Sequence, residues 1–336
     1  ALDLQLLKEK IGLITKSFLV ALLGLGGTAY FSALTLNFLM GIEVLSGLLY
    51  TIPLSVLSSA IILPSIDDLD DDKREFMIYE STFSDIVGIV GFYSVLAVAG
   101  SPSAEGVSGE VFGSLALTVI LSIIISYILI YVFQNIKGHV KLFLLIAILL
   151  LLYAIGKMFH LSSLIIILIF GMILNNYKVF FRGVLIKLLD EEKVRGVLGD
   201  MKIITAESAF VVRTFFFILF GWSISISSLF DYRVWLIGVP IIVIIYLIRF
   251  FVLLVFNATF KFKKINPVLF LAPRGLITVL LFYSAKDFVN ITVLGAPDFD
   301  FGGVLLFVIL TSCLIMSWSL VREKKRLKRQ EEEDFE

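Results

Sequence analysis

Apolar runs of about 20 residues recur along the chain, the length that crosses a bilayer as a helix at about 1.5 Å per residue. Each run closes on a short polar or charged stretch. The pattern predicts ten spans, near 12–35, 41–64, 78–99, 110–133, 140–157, 160–175, 205–226, 233–256, 267–286 and 302–320. Between the sixth and seventh, residues 176–202 mix Lys178, Arg182, Lys187, Lys193, Arg195 and Lys202 with Leu, Val and Ile. That mixture suits an amphipathic segment lying on a membrane surface. The tail 321–336 is basic from Arg322 to Arg329, then acidic from Glu331 to Glu336, and reads as a solvated helix end.

The basic residues give these spans an orientation. Lys8, Lys10 and Lys16 precede the first; Lys73 and Arg74 follow the second; Lys137 and Lys141 follow the fourth. The basic residues of 176–202, then Lys261, Lys263 and Lys264, then those of the tail fall on the same side. The opposite loops hold only Lys157, Arg233 and Lys286. By the positive-inside rule both ends of the chain are expected to be cytoplasmic. A miscounted span would scramble this alternation.

Composition narrows the class. The chain of 336 residues is 59% hydrophobic and 17% charged, with a mean hydropathy of +1.01, which excludes an ordinary soluble protein and fits an all-α polytopic membrane protein. The single cysteine, Cys313, excludes an internal disulfide and a cysteine metal site. His139 and His160 fall near predicted loops and read as interfacial polar residues. No cofactor is called for, and nothing points to nucleic acid.

Six charges remain away from the ends of the apolar runs: Glu80, Asp85, Glu207, Arg213, Arg249 and Arg274. A charge at the bilayer centre costs about 2.5–3.5 kcal/mol on insertion scales. Equal numbers of acids and arginines suggest pairing. Glu80 and Asp85 are five residues apart, about 140° around a helix, so they cannot share one site closely. Glu207 and Arg213 lie six apart on one helix, and each is expected to reach another helix.

Two runs are interrupted. The second contains Pro53 and ends at Pro64, with Ser55, Ser58 and Ser59 between them; the ninth contains Pro267, Pro273, Arg274 and Gly275. Irregular backbone is tolerated at membrane depth only where protein or water satisfies it. The two lie in corresponding places of two inverted triplets, spans one to three and eight to ten. Paired Pro/Gly interruptions in inverted halves point to a transporter's ion site. The organisation is then a first core triplet (1–99, with interrupted helix 41–64 and acidic helix 78–99) and linking spans (100–175). The amphipathic segment (176–202), a seventh span (203–232), a second core triplet (233–320) and the tail follow.

On these residues the chain resembles the cation:proton antiporter superfamily. Tyr79-Glu80-Ser81-Thr82-Phe83-Ser84-Asp85 is similar to the Glu-Ser-x-x-Asn-Asp region of its sodium/proton exchanger branch. Leu57-Ser58-Ser59-Ala60-Ile61 resembles a Leu-Ser-Ser-Thr-Ala stretch of the potassium-efflux branch. Phe215 to Gly221 resembles a Phe-rich helix of the superfamily, Arg249 falls at the place of a core basic residue, and Pro273-Arg274-Gly275-Leu276 resembles the Leu-Arg-Gly of exchangers. There are two departures. Ser58-Ser59-Ala60 stands where exchangers carry Thr-Asp-Pro, and Ser84-Asp85 stands for Asn-Asp.

The resemblance implies an inverted-repeat antiporter fold with two interrupted helices. Thirteen spans are common in the family, so ten would mean three N-terminal spans absent. It implies exchange of a monovalent cation (Na+ or K+) for H+ by alternating access, and a structural ion pair of Glu80 with Arg249. Asp85 is the candidate carboxylate for cation and proton in turn, with Ser84, Ser81, Ser58 and Ser59 as neutral oxygen donors suited to a hard alkali cation. With one titrating acid, exchange is expected to be electroneutral. Arg274 is expected to neutralise helix ends or restrain the site. Expected partners are the cation, the proton, the lipid bilayer and a second copy of the chain, in a plasma or inner membrane. A cation channel and a non-transporting relative of the same fold are the alternatives; an intramembrane protease would need a second aspartate or a buried histidine.

Overall fold

The computed structural model describes residues 8–99, 107–134, 141–158, 163–181, 190–223, 226–260, 265–286 and 301–335. His139 and His160 lie outside the described residues. Regular structure among the described residues is entirely helical: α1 (Ile11–Met40), α2 (Val44–Ser55), α3 (Ser59–Ile62), α4 (Asp71–Ala99), α5 (Val107–Gln134), α6 (Lys141–Met158), α7 (Ser163–Asn175), α8 (Tyr177–Phe180), α9 (Glu191–Ser223), α10 (Tyr232–Phe260), α11 (Leu276–Lys286) and α12 (Gly302–Phe335). Short 3₁₀ turns flank several of them. By length and composition, six helical stretches among the described residues can cross a membrane: Ile11–Met40, Val44–Ser65, Asp71–Ala99, Lys202–Trp222, Tyr232–Phe256 and Gly302–Arg326. Ala116–Val132, Ile165–Asn175 and Leu276–Ala285 are apolar but shorter.

One boundary differs from the sequence expectation. Residues 191–202 of the surface segment are continuous with the seventh span, because α9 begins at Glu191 and runs unbroken to Ser223. The chain there lacks proline, and Arg195 bonds Glu191 one turn back, so nothing stops the helix at 202. The last helix, α12, continues from its apolar part through the charged tail to Phe335. Lys, Arg and Glu are good helix formers, and Glu323 pairs with Arg326 one turn on.

The chain divides into two compact units. One comprises Ala1–Ile11 and Gly100–Ile218. In it α7 packs against α5 and α6, and the Tyr127 hydroxyl donates to the Phe180 carbonyl at 2.9 Å.

The other unit comprises Gly12–Ala99 and Leu219–Glu336. It contains both interrupted segments. Here α2 packs on α4 and α11, and α10 on α12. Tyr50, Phe282 and Phe301 form an aromatic cluster that holds α2, α11 and the chain entering α12 together. A buried cluster including Val20, Leu57, Phe76, Met77, Leu253, Leu271 and Met316 surrounds the two breaks.

Candidate ion site

The first break follows from Pro53. Proline has no N–H for the Leu49 carbonyl, so the α2 ladder weakens at its end. The Ser55 hydroxyl donates to the Thr51 carbonyl at 2.7 Å, and the helix stops at Ser55. Val56 and Ser58 are extended, and the helical path resumes at Ser59. The second break is longer. Leu271 to Gly275 are non-helical and buried, between a 3₁₀ turn at Val268–Phe270 and α11.

Buried irregular backbone needs partners, and nearby hydroxyls and the opposite break supply them. The Leu57 amide donates to Ser84 Oγ at 2.9 Å. The Ser58 amide donates to the Pro273 carbonyl at 2.9 Å, so the two breaks bond directly to each other. The Arg274 amide donates to Ser312 Oγ at 3.1 Å, and the Gly275 amide to Thr278 Oγ1 at 3.3 Å. A Cβ on Gly275 would lie 2.9 Å from the Ser58 Cβ, so glycine is what lets the breaks approach this closely. Gly88 does the same for α4, facing Val56 and Leu25.

Arg249 and Glu80 close the other side. The guanidinium binds the carboxylate in a two-pronged pair, Nη1 to Oε1 at 2.6 Å and Nη2 to Oε2 at 3.0 Å. Its Nη2 also donates to the Val268 carbonyl at 2.9 Å, and its Nε to the Leu269 carbonyl at 3.1 Å. Both side chains are buried. Arg249 therefore ties α4 to the turn that opens the second break, and both oxygens of Glu80 are engaged.

Asp85 is placed differently. It is buried on α4. Its Oδ2 accepts the Ser59 hydroxyl at 2.5 Å, while Oδ1 is buried with no hydrogen-bond partner. The same holds for Arg274, whose Nε and Nη1 are buried and unpartnered. Arg274, Arg249, Glu80, Ser84, Ser55 and Thr28 line a cavity of about 20 Å³, room for a water molecule.

The structure thus brings Ser58, Ser59, Ser84, Asp85, Glu80, Arg249 and Arg274 to the crossing of the breaks. Ser81 is buried, but its hydroxyl donates to the Met77 carbonyl one turn back at 2.7 Å. Glu207 and Arg213 lie on the part of α9 in the other compact unit; Glu207 is exposed and Arg213 half-buried. The backbone-capping hydroxyls Thr278 and Ser312 were missed by sequence reasoning. A hydroxyl following a Pro-Arg-Gly break by a few residues is the only local signal, and Ser312 has none.

Two broken helices that meet beside a buried acid, in an all-helical membrane chain, define an ion-coupled secondary transporter. Comparison with known proteins narrows the class. The profile described as "Sodium/hydrogen exchanger, transmembrane" matches residues 1–322. No curated protein matches the chain. Among solved structures, the fold is similar to the sodium proton antiporter MjNhaP1 from Methanocaldococcus jannaschii, with a TM-score of 0.62 and 17% identity over 94% of this chain and 77% of that one. The chain belongs to the sodium/hydrogen exchanger family. It is a membrane cation/proton antiporter, a transporter rather than an enzyme.

Proposed function

We propose that the protein exchanges a monovalent cation, Na+ or K+, for H+ at Asp85, one for one, by alternating access. The observation that carries this reading is the contrast between the two acids of α4. Glu80 has both oxygens committed to Arg249, whereas Asp85 keeps a buried oxygen with no partner. Ser59 fixes the other oxygen, and Ser58 and Ser84 stand at the adjoining break as neutral donors, with Ser81 a further one on α4.

The exchange follows from elementary electrostatics. A proton on Asp85 removes the charge that holds a cation, so the two occupants exclude each other. Either one neutralises the carboxylate. The empty, ionised carboxylate is a desolvated lone charge, and moving it through the apolar core is costly. Only loaded forms then cross between the two sides, which couples the fluxes. Glu80 and Arg249 act as the fixed strut of the moving part. On this reading the protein works in a plasma or inner membrane, as a homodimer, with both ends of the chain on the cytoplasmic side.

The test is dissipation of an imposed pH gradient in proteoliposomes on addition of Na+, K+ or Li+, with the membrane potential clamped or free. Cation-dependent proton flux whose rate ignores the clamp supports the proposal. Flux that follows the potential, or cation flux without counter-moving protons, contradicts it; the latter is the behaviour of a channel.

A further inference from the structure

We infer that a groove at the charged end of α12 binds the phosphate of an anionic phospholipid. The groove has a volume of about 500 Å³. Phe270 and Trp318 form an apolar aromatic wall, with their rings 6.1 Å apart edge to face. Arg322, Lys325, Arg326 and Arg329 form a basic rim.

Among the described side chains the rim's charge is largely uncompensated. Among the described residues lining the groove Glu323 is the only acid, and it bonds Arg326 Nη2 at 2.7 Å. The acid-rich loop before α4 is occupied elsewhere: Asp68 pairs with Lys324, Asp67 with Arg74, and Asp70 with Lys73. Arg326 Nε is buried with no hydrogen-bond partner, a donor that a phosphate oxygen would satisfy. Arg322 stacks over Trp318, its guanidinium carbon 5.4 Å from the ring centroid.

The same features favour a lipid over a soluble phosphate. The groove sits where the stretch apolar enough to cross a membrane ends, at Arg326. Tryptophan at such an end occupies the headgroup level. An anionic head against the basic rim and an acyl or glycerol portion against Trp318 and Phe270 match both walls. Basic residues at this level attract anionic lipids by about fivefold per charge.

The test presents the purified full-length chain in mild detergent with equal amounts of phosphatidylglycerol and phosphatidylcholine and reads retained lipid by native mass spectrometry. Phosphatidylglycerol is expected to be retained preferentially. Lys325→Gln with Arg329→Gln, both exposed positions, lowers that retention about fivefold per charge. Lys324→Gln, on the same helix but facing Asp68, leaves it unchanged. Equal retention of the two lipids, an equal loss in Lys324→Gln, or displacement of phosphatidylglycerol by millimolar inorganic phosphate would each overturn the inference.

Discussion

The Ser58 amide donates to the Pro273 carbonyl at 2.9 Å, and this bond joins the two breaks of the chain. Residues more than 200 positions apart thereby satisfy each other's interrupted backbone. Gly275 makes the approach possible, because a Cβ there meets Ser58. Gly275→Ala should therefore push the breaks apart, costing about 1–3 kcal/mol by overpacking. Transport should fall with it. Ser58→Gly in the same chain removes the obstructing Cβ and should restore part of both. Thermal melting in detergent and proton flux in liposomes read the two effects, and additive losses in the double variant would contradict this account.

The Glu80–Arg249 pair makes a second prediction. Removing one partner leaves a buried lone charge and should cost about 3–5 kcal/mol. Arg249→Ala should be worse than Glu80→Gln, since it also uncaps the carbonyls of Val268 and Leu269. A double-mutant cycle on melting or denaturant stability should show strong coupling. Independence of the two substitutions would mean that the pair does not hold the second break.

A third prediction concerns pH outside the spans. Glu191 receives Lys178 and Arg195, which hold its carboxyl below the ordinary range; the Lys193 side chain and amide do the same for Asp190. A carboxyl with a lowered folded value stabilises when ionised, and the contribution is lost as pH falls through that value. The first turn of α9 should stay closed at neutral pH and open only as pH falls below the ordinary carboxylate range. Hydrogen exchange of the amides of 192–196 measures this; protection that persists well below that range would be the contrary result.

The sequence made some of this readable and hid the rest, for physical reasons. Pro53, Pro273 and Gly275 announce broken helices because their backbone chemistry acts locally. Glu80, Asp85, Arg249 and Arg274 announce themselves because a charge in an apolar run is expensive anywhere. Which charge meets which is a long-range fact. Arg249 directs Nε and Nη2 at the backbone carbonyls of Val268 and Leu269 as well as binding Glu80, and no spacing rule encodes that. Hydroxyls were the least legible. Ser84 and Ser81 read as oxygen donors by type, yet Ser84 receives the Leu57 amide and Ser81 bonds its own helix. The merging of 191–202 into α9 was hidden because an amphipathic pattern looks the same in a surface segment and in the first turns of a long helix.

The central claim is that Asp85 carries cation and proton in turn. Asp85→Asn keeps the size of the side chain and an acceptor for Ser59, and removes the charge. Its cation-driven proton flux in proteoliposomes, compared with the native protein for Na+, K+ and Li+, is the most direct measurement. Complete loss of exchange in a variant that melts like the native protein is the expected result. Exchange that continues in Asp85→Asn would contradict the account.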